Sequence, residues 1–211
     1  DINKKKVIDF AFDNFNKIKI KNKEFLVNTF HKSAVLKKYL IKKKYNILIK
    51  KEKSLRGSLG TLYDNINWIK TKDYILIHYG DVIFDTSITK LVDSMINSKH
   101  SANMVVDIRN NAQDVGIVKF NSKKILLDFL EKPKDVQGKQ YVNSGLYVFK
   151  KNFLIDSLDT LSKNINIKKK LDFSKIFSDY LINNTKVFIF NNKVIDIGTF
   201  ENLKKAKKIF K

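Results

Sequence analysis

Tyr74-Ile75-Leu76-Ile77-His78-Tyr79, followed at once by Gly80-Asp81, is the stretch on which the fold turns. A continuous apolar run of this length, stopped by a turn residue, is the pattern of a strand covered on both faces, as in a sheet sandwiched between helices. Ligands of open α/β sheets bind beyond the carboxyl ends of the strands, so Gly80 and Asp81 stand where chemistry is expected. The glycine lets the backbone turn and a substrate approach, and the carboxylate is a hard oxygen ligand. Taken alone, a strand ending in Gly-Asp is more often a plain turn.

Outward from this run, helix and strand alternate. Val7, Phe10, Ala11, Phe15 and Ile18 recur at helical spacing, 24–29 reads as a short buried strand, 32–43 as a helix, 46–50 as a strand and 57–69 as a third helix. Beyond the run, Ile88, Leu91, Val92, Met95 and Ile96 form one apolar helical face. Such alternation predicts a parallel sheet with helices on its faces. From 103 the rhythm changes: NMVVDI, GIVKF, ILLDFL and VNSGLYVF are strand-like runs with short gaps, so an antiparallel or mixed extension is expected. Phe173, Ile176, Phe177, Tyr180 and Leu181 mark a further helix, 186–190 and 193–196 a closing hairpin around Asn191 and Asn192, and 200–210 a terminal helix.

With 211 residues, 43% of them hydrophobic, and a single proline, the chain supports one core, and 1–211 is expected to be one domain. No cysteine is present, so thiolate chemistry is excluded and any metal must be held by oxygen or histidine. No apolar run approaches the roughly 18 residues that span a bilayer, and the first ten residues lack a signal-peptide core. A cytoplasmic protein without membrane association is the expectation. The formal net charge of +21 invites a nucleic-acid reading, but of 42 basic residues only Arg56 and Arg109 are arginine. The lysine groups at 4–6, 42–44 and 168–170 are scattered and form no stripe, so no nucleic-acid partner is expected.

Four further motifs sit near strand ends. Asp196-Ile197-Gly198-Thr199 precedes the terminal helix, where Thr199 would be an N-cap and Glu201 would suit the helix dipole. The chemical reading makes Asp81 and Asp196 the two protein ligands of one Mg²⁺, which commonly takes one or two carboxylates. Glu131-Lys132-Pro133 offers an ammonium to a phosphate on a backbone stiffened by proline. Asn143-Ser144-Gly145 interrupts an apolar strand, the mark of a bulge or of the close approach of another group. Gly57-Ser58-Leu59-Gly60 opens a helix, whose free N–H groups and bare glycines suit a nucleotide.

Each motif is weak alone, but their order is not. Glu52, Gly57 to Gly60, Gly80-Asp81, Glu131-Lys132-Pro133, Asn143-Ser144-Gly145 and Asp196 to Thr199 resemble, in sequence and spacing, the sugar-1-phosphate nucleotidyltransferases that make nucleotide sugars. The similarity covers most of the chain and is thinnest over 152–190. It implies a Rossmann-like three-layer α/β/α fold with a mixed, mostly parallel sheet, a nucleotide-binding half at 1–100 and a sugar-binding half at 101–211. Carried onto these positions, it implies that Asp81 and Asp196 hold Mg²⁺ and that Lys132 neutralises the sugar phosphate. Glu131, Asn143 and Gly145 would contact sugar hydroxyls, while Glu52, Gly57, Ser58, Gly60 and Gly80 would line the nucleotide. The implied substrates are a nucleoside triphosphate and a sugar 1-phosphate. A carboxylate at Glu52 would accept from guanine N1–H and N2–H₂, which tilts the base toward GTP and the enzyme toward a mannose- or heptose-1-phosphate guanylyltransferase. A homo-oligomer is compatible with this reading.

Two departures stand out. Leu59 and Ser58 replace the family's small Ala and usual Thr. The sequence also starts where the family's Gly-rich phosphate loop and first strand have already passed. A catalytically silent, sugar-nucleotide-binding relative is the alternative reading. Without the loop's N–H groups the 211-residue chain is expected to bind nucleoside triphosphate weakly and turn over little; brisk pyrophosphate release would contradict this.

Overall fold

The computed structural model describes residues 1–2, 4–43, 47–110, 112–113, 115–191 and 193–210, with backbone only at 174–177. Lys44 and Asn46, named above in a lysine group and a strand, lie outside the described residues, as does Asn192.

The opening alternation is realised as α1 (Val7–Lys17), β1 (Phe25–Thr29), α2 (Ser33–Lys42) and β2 (Ile47–Lys51). The two strands pair in parallel, Phe25 opposite Ile47 through Thr29 opposite Lys51, with α2 as the crossover that a parallel pair requires. The expected third helix is two helices, α3 (Gly57–Asp64) and α4 (Ile66–Ile69). They part at Asn65, whose side-chain amide donates back to the Thr61 carbonyl at 2.8 Å, a local bond that competes with the helix ladder.

The decisive run becomes β3 (Tyr74–His78), followed by β4 (Val82–Phe84) and α5 (Thr89–Ile96). Then come the four expected strands: β5 (Ala102–Asn110), β6 (Ile117–Phe120), β7 (Leu126–Leu130) and β8 (Lys139–Lys150). The chain continues through α6 (Lys151–Asn164), α7 (Phe173–Leu181), β9 (Thr185–Ile189), β10 (Val194–Asp196) and α8 (Phe200–Ile209). No helix among the described residues is long and apolar enough to cross a membrane.

β8 is the spine of a mixed six-stranded sheet. β5 runs antiparallel along one edge of it, and β9 lies parallel beyond β5. The other edge is shared: β3 pairs with Leu146–Lys150, and β6, carrying β7, pairs at Val142. β3, β5, β6 and β9 therefore run one way, and β7 and β8 run against them. Side chains alternate across this sheet, so its two faces bury different sets. Ile75, Met104, Tyr147 and Phe149 pack on one face with Leu59, Leu62, Leu154, Leu158 and Phe173 from the helices. Val105, Leu146 and Val148 pack on the other with Leu91, Val92 and Met95 of α5 and with Ile18. Helices on both faces give the expected three layers, and β3 has packing on both sides, Ile75 and Ile77 against one cluster and Leu76 against the other, although along it only Ile75 is buried and Tyr74 is exposed.

The expected closing hairpin is absent. Lys193 N–H does close a turn onto the Phe190 carbonyl at 3.1 Å, but the flanking strands then diverge. β9 joins β5, whereas β10 pairs antiparallel with β4. Paired asparagines are a sound turn signal, but they cannot show that each strand has a better partner far along the chain. Helix α6 was not anticipated, although Leu154, Leu158 and Leu161 are buried at helical spacing.

His78 shows how tightly this core closes. Its ring stands edge-on to Phe15 and Phe84, with centroids at 5.6 and 5.2 Å, and its Nδ1 lies 2.7 Å from the Tyr79 carbonyl, so Nδ1–H donates there. Burial holds its pKa down, from 6.5 to about 4. Below pH 6.5 the unfolded chain takes up a proton that the native state refuses, so stability must fall as the pH drops toward about 4. Chemical denaturation at stepped pH is expected to show this slope in the wild type and a flatter one in His78→Phe.

Candidate active site

β3 and β6 leave a gap on the shared edge of β8, and the gap is where the site opens. Tyr79 N–H donates to the Gly145 carbonyl at 2.9 Å below it, and Asn143 N–H donates to the Gly116 carbonyl at 2.8 Å above it. Between them β8 bulges: Met104 faces Tyr147 while Val106 faces Asn143, so Ser144 to Leu146 stand opposite Val105 alone. Gly145 is indispensable here. Its φ is +67°, and a Cβ would come within 2.8 Å of the Tyr79 ring. The Asn143 carboxamide oxygen accepts from Gly145 N–H at 3.2 Å and fixes the bulge. Both readings of Asn143-Ser144-Gly145, bulge and close approach, describe the same feature.

The second construction joins residues remote in sequence. β4 and β10 pair with Val82 opposite Asp196, and Ile197 N–H donates to the Asp81 carbonyl at 2.8 Å. Both carboxylates turn toward Gly198. A Cβ on that glycine would lie 3.1 Å from Asp196 Oδ1 and 3.8 Å from Asp81 Oδ2, so only a bare backbone leaves the space between them clear. Asp196 Oδ1 accepts from Gly198 N–H at 2.8 Å, and its Oδ2 lies 3.8 Å from Arg109 Nη1. Thr199 also caps α8, accepting from Asn202 N–H at 3.2 Å as expected, while Asp196 turns its carboxylate toward Gly198 and Arg109.

Around these features lies a cleft of ≈ 260 Å³. Tyr79, Asp81 and Val82 form one wall, Arg109, Val115 and Gly116 another, and Glu131 and Lys132 follow β7 into it. Asn143 to Gly145, Asp172, Val194 and Asp196 complete it. Of the residues singled out from sequence, Asp81, Glu131, Lys132, Asn143, Gly145 and Asp196 thus meet in one place. Gly80 adjoins them with open space within 4 Å of where a Cβ would stand.

Glu52, Gly57, Ser58 and Gly60 do not line this cleft. The expectation of free N–H groups at the α3 N-terminus is also corrected at Leu59, whose N–H donates to the Leu171 carbonyl at 3.2 Å. Gly57, at φ +73°, takes the Leu171 backbone against its bare α-carbon. Arg56 ties the same segment down, its fork reaching Asp64 and the Lys169 and Ile167 carbonyls. Glu52 spends Oε1 on Asn28 and Thr61, both at 2.9 Å. Ser58 Oγ links this region to the cleft, accepting from Phe173 N–H at 2.9 Å and lying 3.4 Å from the Tyr79 hydroxyl.

Three polar cleft residues escaped the sequence reading of the site. Tyr79 and Asp172 carry no local signal, but Arg109 did carry one, as one of two arginines in a lysine-rich chain.

The electrostatics of the cleft oppose those of the molecule. Four carboxylates, Asp81, Glu131, Asp172 and Asp196, face two cations, Arg109 and Lys132, in a protein of formal charge +21. Among the described residues Glu131 Oε2 is buried without a hydrogen-bond partner, an acceptor set for an incoming donor. Among the described residues no three Asp, Glu or His side chains gather as a metal cluster. The Asp81–Asp196 pair is therefore the cation-binding candidate, and two carboxylates beside open space suit a Mg²⁺-type ion that keeps its waters.

Burial raises the Asp81 pKa above the usual carboxylate range; the Asp196 charge adds to this and its own backbone hydrogen bond opposes it. A raised native pKa means that the native state binds more protons than the unfolded chain, so stability falls as the pH rises through that window. Without divalent metal, Asp81→Asn is expected to melt higher than the wild type at neutral pH, and the gain should vanish in acid below both pKa values. A lower melting point at neutral pH would show that the carboxylate is a net structural asset.

The family model for nucleotidyl transferases matches residues 1–211. Among curated proteins the chain is 29% identical over 143 residues to the glucose-1-phosphate adenylyltransferase of Rhodopseudomonas palustris strain HaA2, covering 62% of this chain and 33% of that protein. It is 24% identical over 110 residues to the bifunctional protein GlmU of Thermosipho melanesiensis, covering 51% and 24%. The chain spans about a third or less of the length of these curated relatives. Among solved structures, HddC from Yersinia pseudotuberculosis superposes with a TM-score of 0.74 at 18% identity, over 97% of this chain and 84% of that one, and shares its fold. With the family match running from the first residue to the last, the chain that builds this cleft belongs to the nucleotidyl transferase family.

Proposed function

We propose that the cleft joins a nucleoside monophosphate unit to a sugar 1-phosphate, releasing pyrophosphate and yielding a nucleotide sugar. The observation that carries this reading is the convergence of Asp81 and Asp196 on Gly198 in the same cleft as Lys132. Nucleotidyl transferases of this family generally use a divalent metal; here we take it to be Mg²⁺. When bound, the ion would neutralise phosphate charge and orient the two substrates.

The chain's own residues divide the remaining work. A sugar-phosphate oxygen attacks the α-phosphorus in line; the new P–O bond forms as the bond to the β-phosphate oxygen breaks, and that electron pair leaves with pyrophosphate. Two anions must meet, so positioning and charge dominate. Lys132, held at φ +46° ahead of Pro133, sets its ammonium against the sugar phosphate. Glu131 accepts from a sugar hydroxyl through its unpartnered oxygen. Asn143 and the bare Gly145 backbone border the sugar, and Tyr79 lies beneath them.

The region of Glu52, Gly57, Ser58 and Gly60 takes the nucleotide, linked to the cleft through Ser58 and Tyr79. GTP is the nucleotide favoured, with Glu52 Oε2 the oxygen to accept from guanine, since it takes one long bond from Arg56 N–H at 3.5 Å whereas Oε1 accepts from both Asn28 and Thr61 at 2.9 Å. The Yersinia pseudotuberculosis HddC structure complexed with GMP-PN has the same fold, with a TM-score of 0.72.

Mn²⁺ titration followed by electron paramagnetic resonance tests the central pair without requiring turnover. Asp81→Asn and Asp196→Asn should each weaken binding at least as much as the roughly tenfold that losing an outer-shell partner costs. Both should keep their circular dichroism spectra. Unchanged Mn²⁺ affinity in both variants would refute the assignment.

A further inference from the structure

Arg109 is the cleft cation that the proposed chemistry leaves without a task. It sits near the end of β5 in a chain where every basic residue but two is lysine. The other arginine, Arg56, shows what the guanidinium is used for: its fork grips the Asp64 carboxylate and two carbonyls of the 165–173 segment, a geometry that a lysine point charge cannot reproduce. Arg109 has the same fork and, among the described residues, no such partners. Among the described residues its one charged contact is Asp196 Oδ2, at 3.8 Å, which is beyond hydrogen-bonding distance. Its side chain keeps 29% of its exposure and lines the cleft, so its donors face the space where substrate would lie.

We propose that Arg109 is a second phosphate-binding residue of the cleft, taking two oxygens of the sugar phosphate in a forked grip while Lys132 supplies a point charge. This rests on the nucleotidyltransferase reading of the site. The contact with Asp196 gives the residue a double use. In the free protein the guanidinium offsets the repulsion between Asp196 and Asp81. A divalent cation held there would take over that screening and leave Arg109 free to turn toward the phosphate. Cation and phosphate are therefore coupled: each should bind more tightly in the presence of the other, by the same factor.

The test uses inorganic phosphate and Mn²⁺ as separate probes on the whole chain, with phosphate followed by ³¹P nuclear magnetic resonance against Mg²⁺-loaded protein and Mn²⁺ by electron paramagnetic resonance. Arg109→Gln should weaken phosphate about tenfold, the order expected for losing a charge-assisted pair of bonds, and Arg109→Lys should recover only part of it. Mn²⁺ affinity in the absence of phosphate should hold or rise in Arg109→Gln, because Asp196 is no longer screened. A merely structural role would instead weaken both probes together, and that result overturns the proposal. So does a wild type that binds Mn²⁺ yet holds phosphate no better than Arg109→Gln; the metal pair survives that outcome. A wild type that binds neither probe overturns both this proposal and the reading beneath it.

Discussion

The three-residue antiparallel pairing of β4 with β10 is the constraint on which the site depends. It places Val82 against Asp196 and locks Ile197 N–H onto the Asp81 carbonyl, so that two acids from distant parts of the chain share one edge. Few backbone bonds are involved, and the pairing holds because its surroundings are dry. Ile83 is fully buried with Ile2 and Ala206, and Val82, Phe84 and Val194 join the core beneath α5. Apolar burial thus positions two charges that would otherwise repel each other apart.

The same logic runs through the cleft. A sheet edge normally continues as one ladder, but here β8 hands its edge from β3 to β6 across a bulge, and the interruption exposes a small polar space inside a well-packed layer. Backbone irregularity of this kind costs stability and persists where surrounding contacts over-determine it. Gly145 under the Tyr79 ring and the Asn143 bond across the bulge are those contacts. The raised pKa of Asp81, whose burial disfavours its charge, and an oxygen on Glu131 without a partner among the described residues are further local costs, which a cation and a polyhydroxy ligand would relieve.

The sequence was most informative where a physical pattern is local. An unbroken apolar run marked β3 as packed on both faces, a 3.6-residue stripe marked α5, and Thr199 marked the start of α8. Cleft residues were legible where a motif ends or interrupts a strand, as with Asp81, Asp196 and Asn143. Partnership between distant strands was not, and so β9 and β10 read as a hairpin when each had a remote partner. Nor could the sequence show that Leu171 would close the α3 N-terminus, because that contact depends on how the 165–173 segment folds back. Arg109 was visible as a rarity but gained meaning only beside Asp196.

The proposed chemistry requires that Asp81 and Asp196 hold a divalent cation between them. Crystals grown with Mn²⁺ and measured for its anomalous scattering address this directly. A peak is expected at coordination distance, about 2 Å, from an oxygen of each carboxylate. Mn²⁺ bound elsewhere, with the space beside Gly198 holding none, would contradict it.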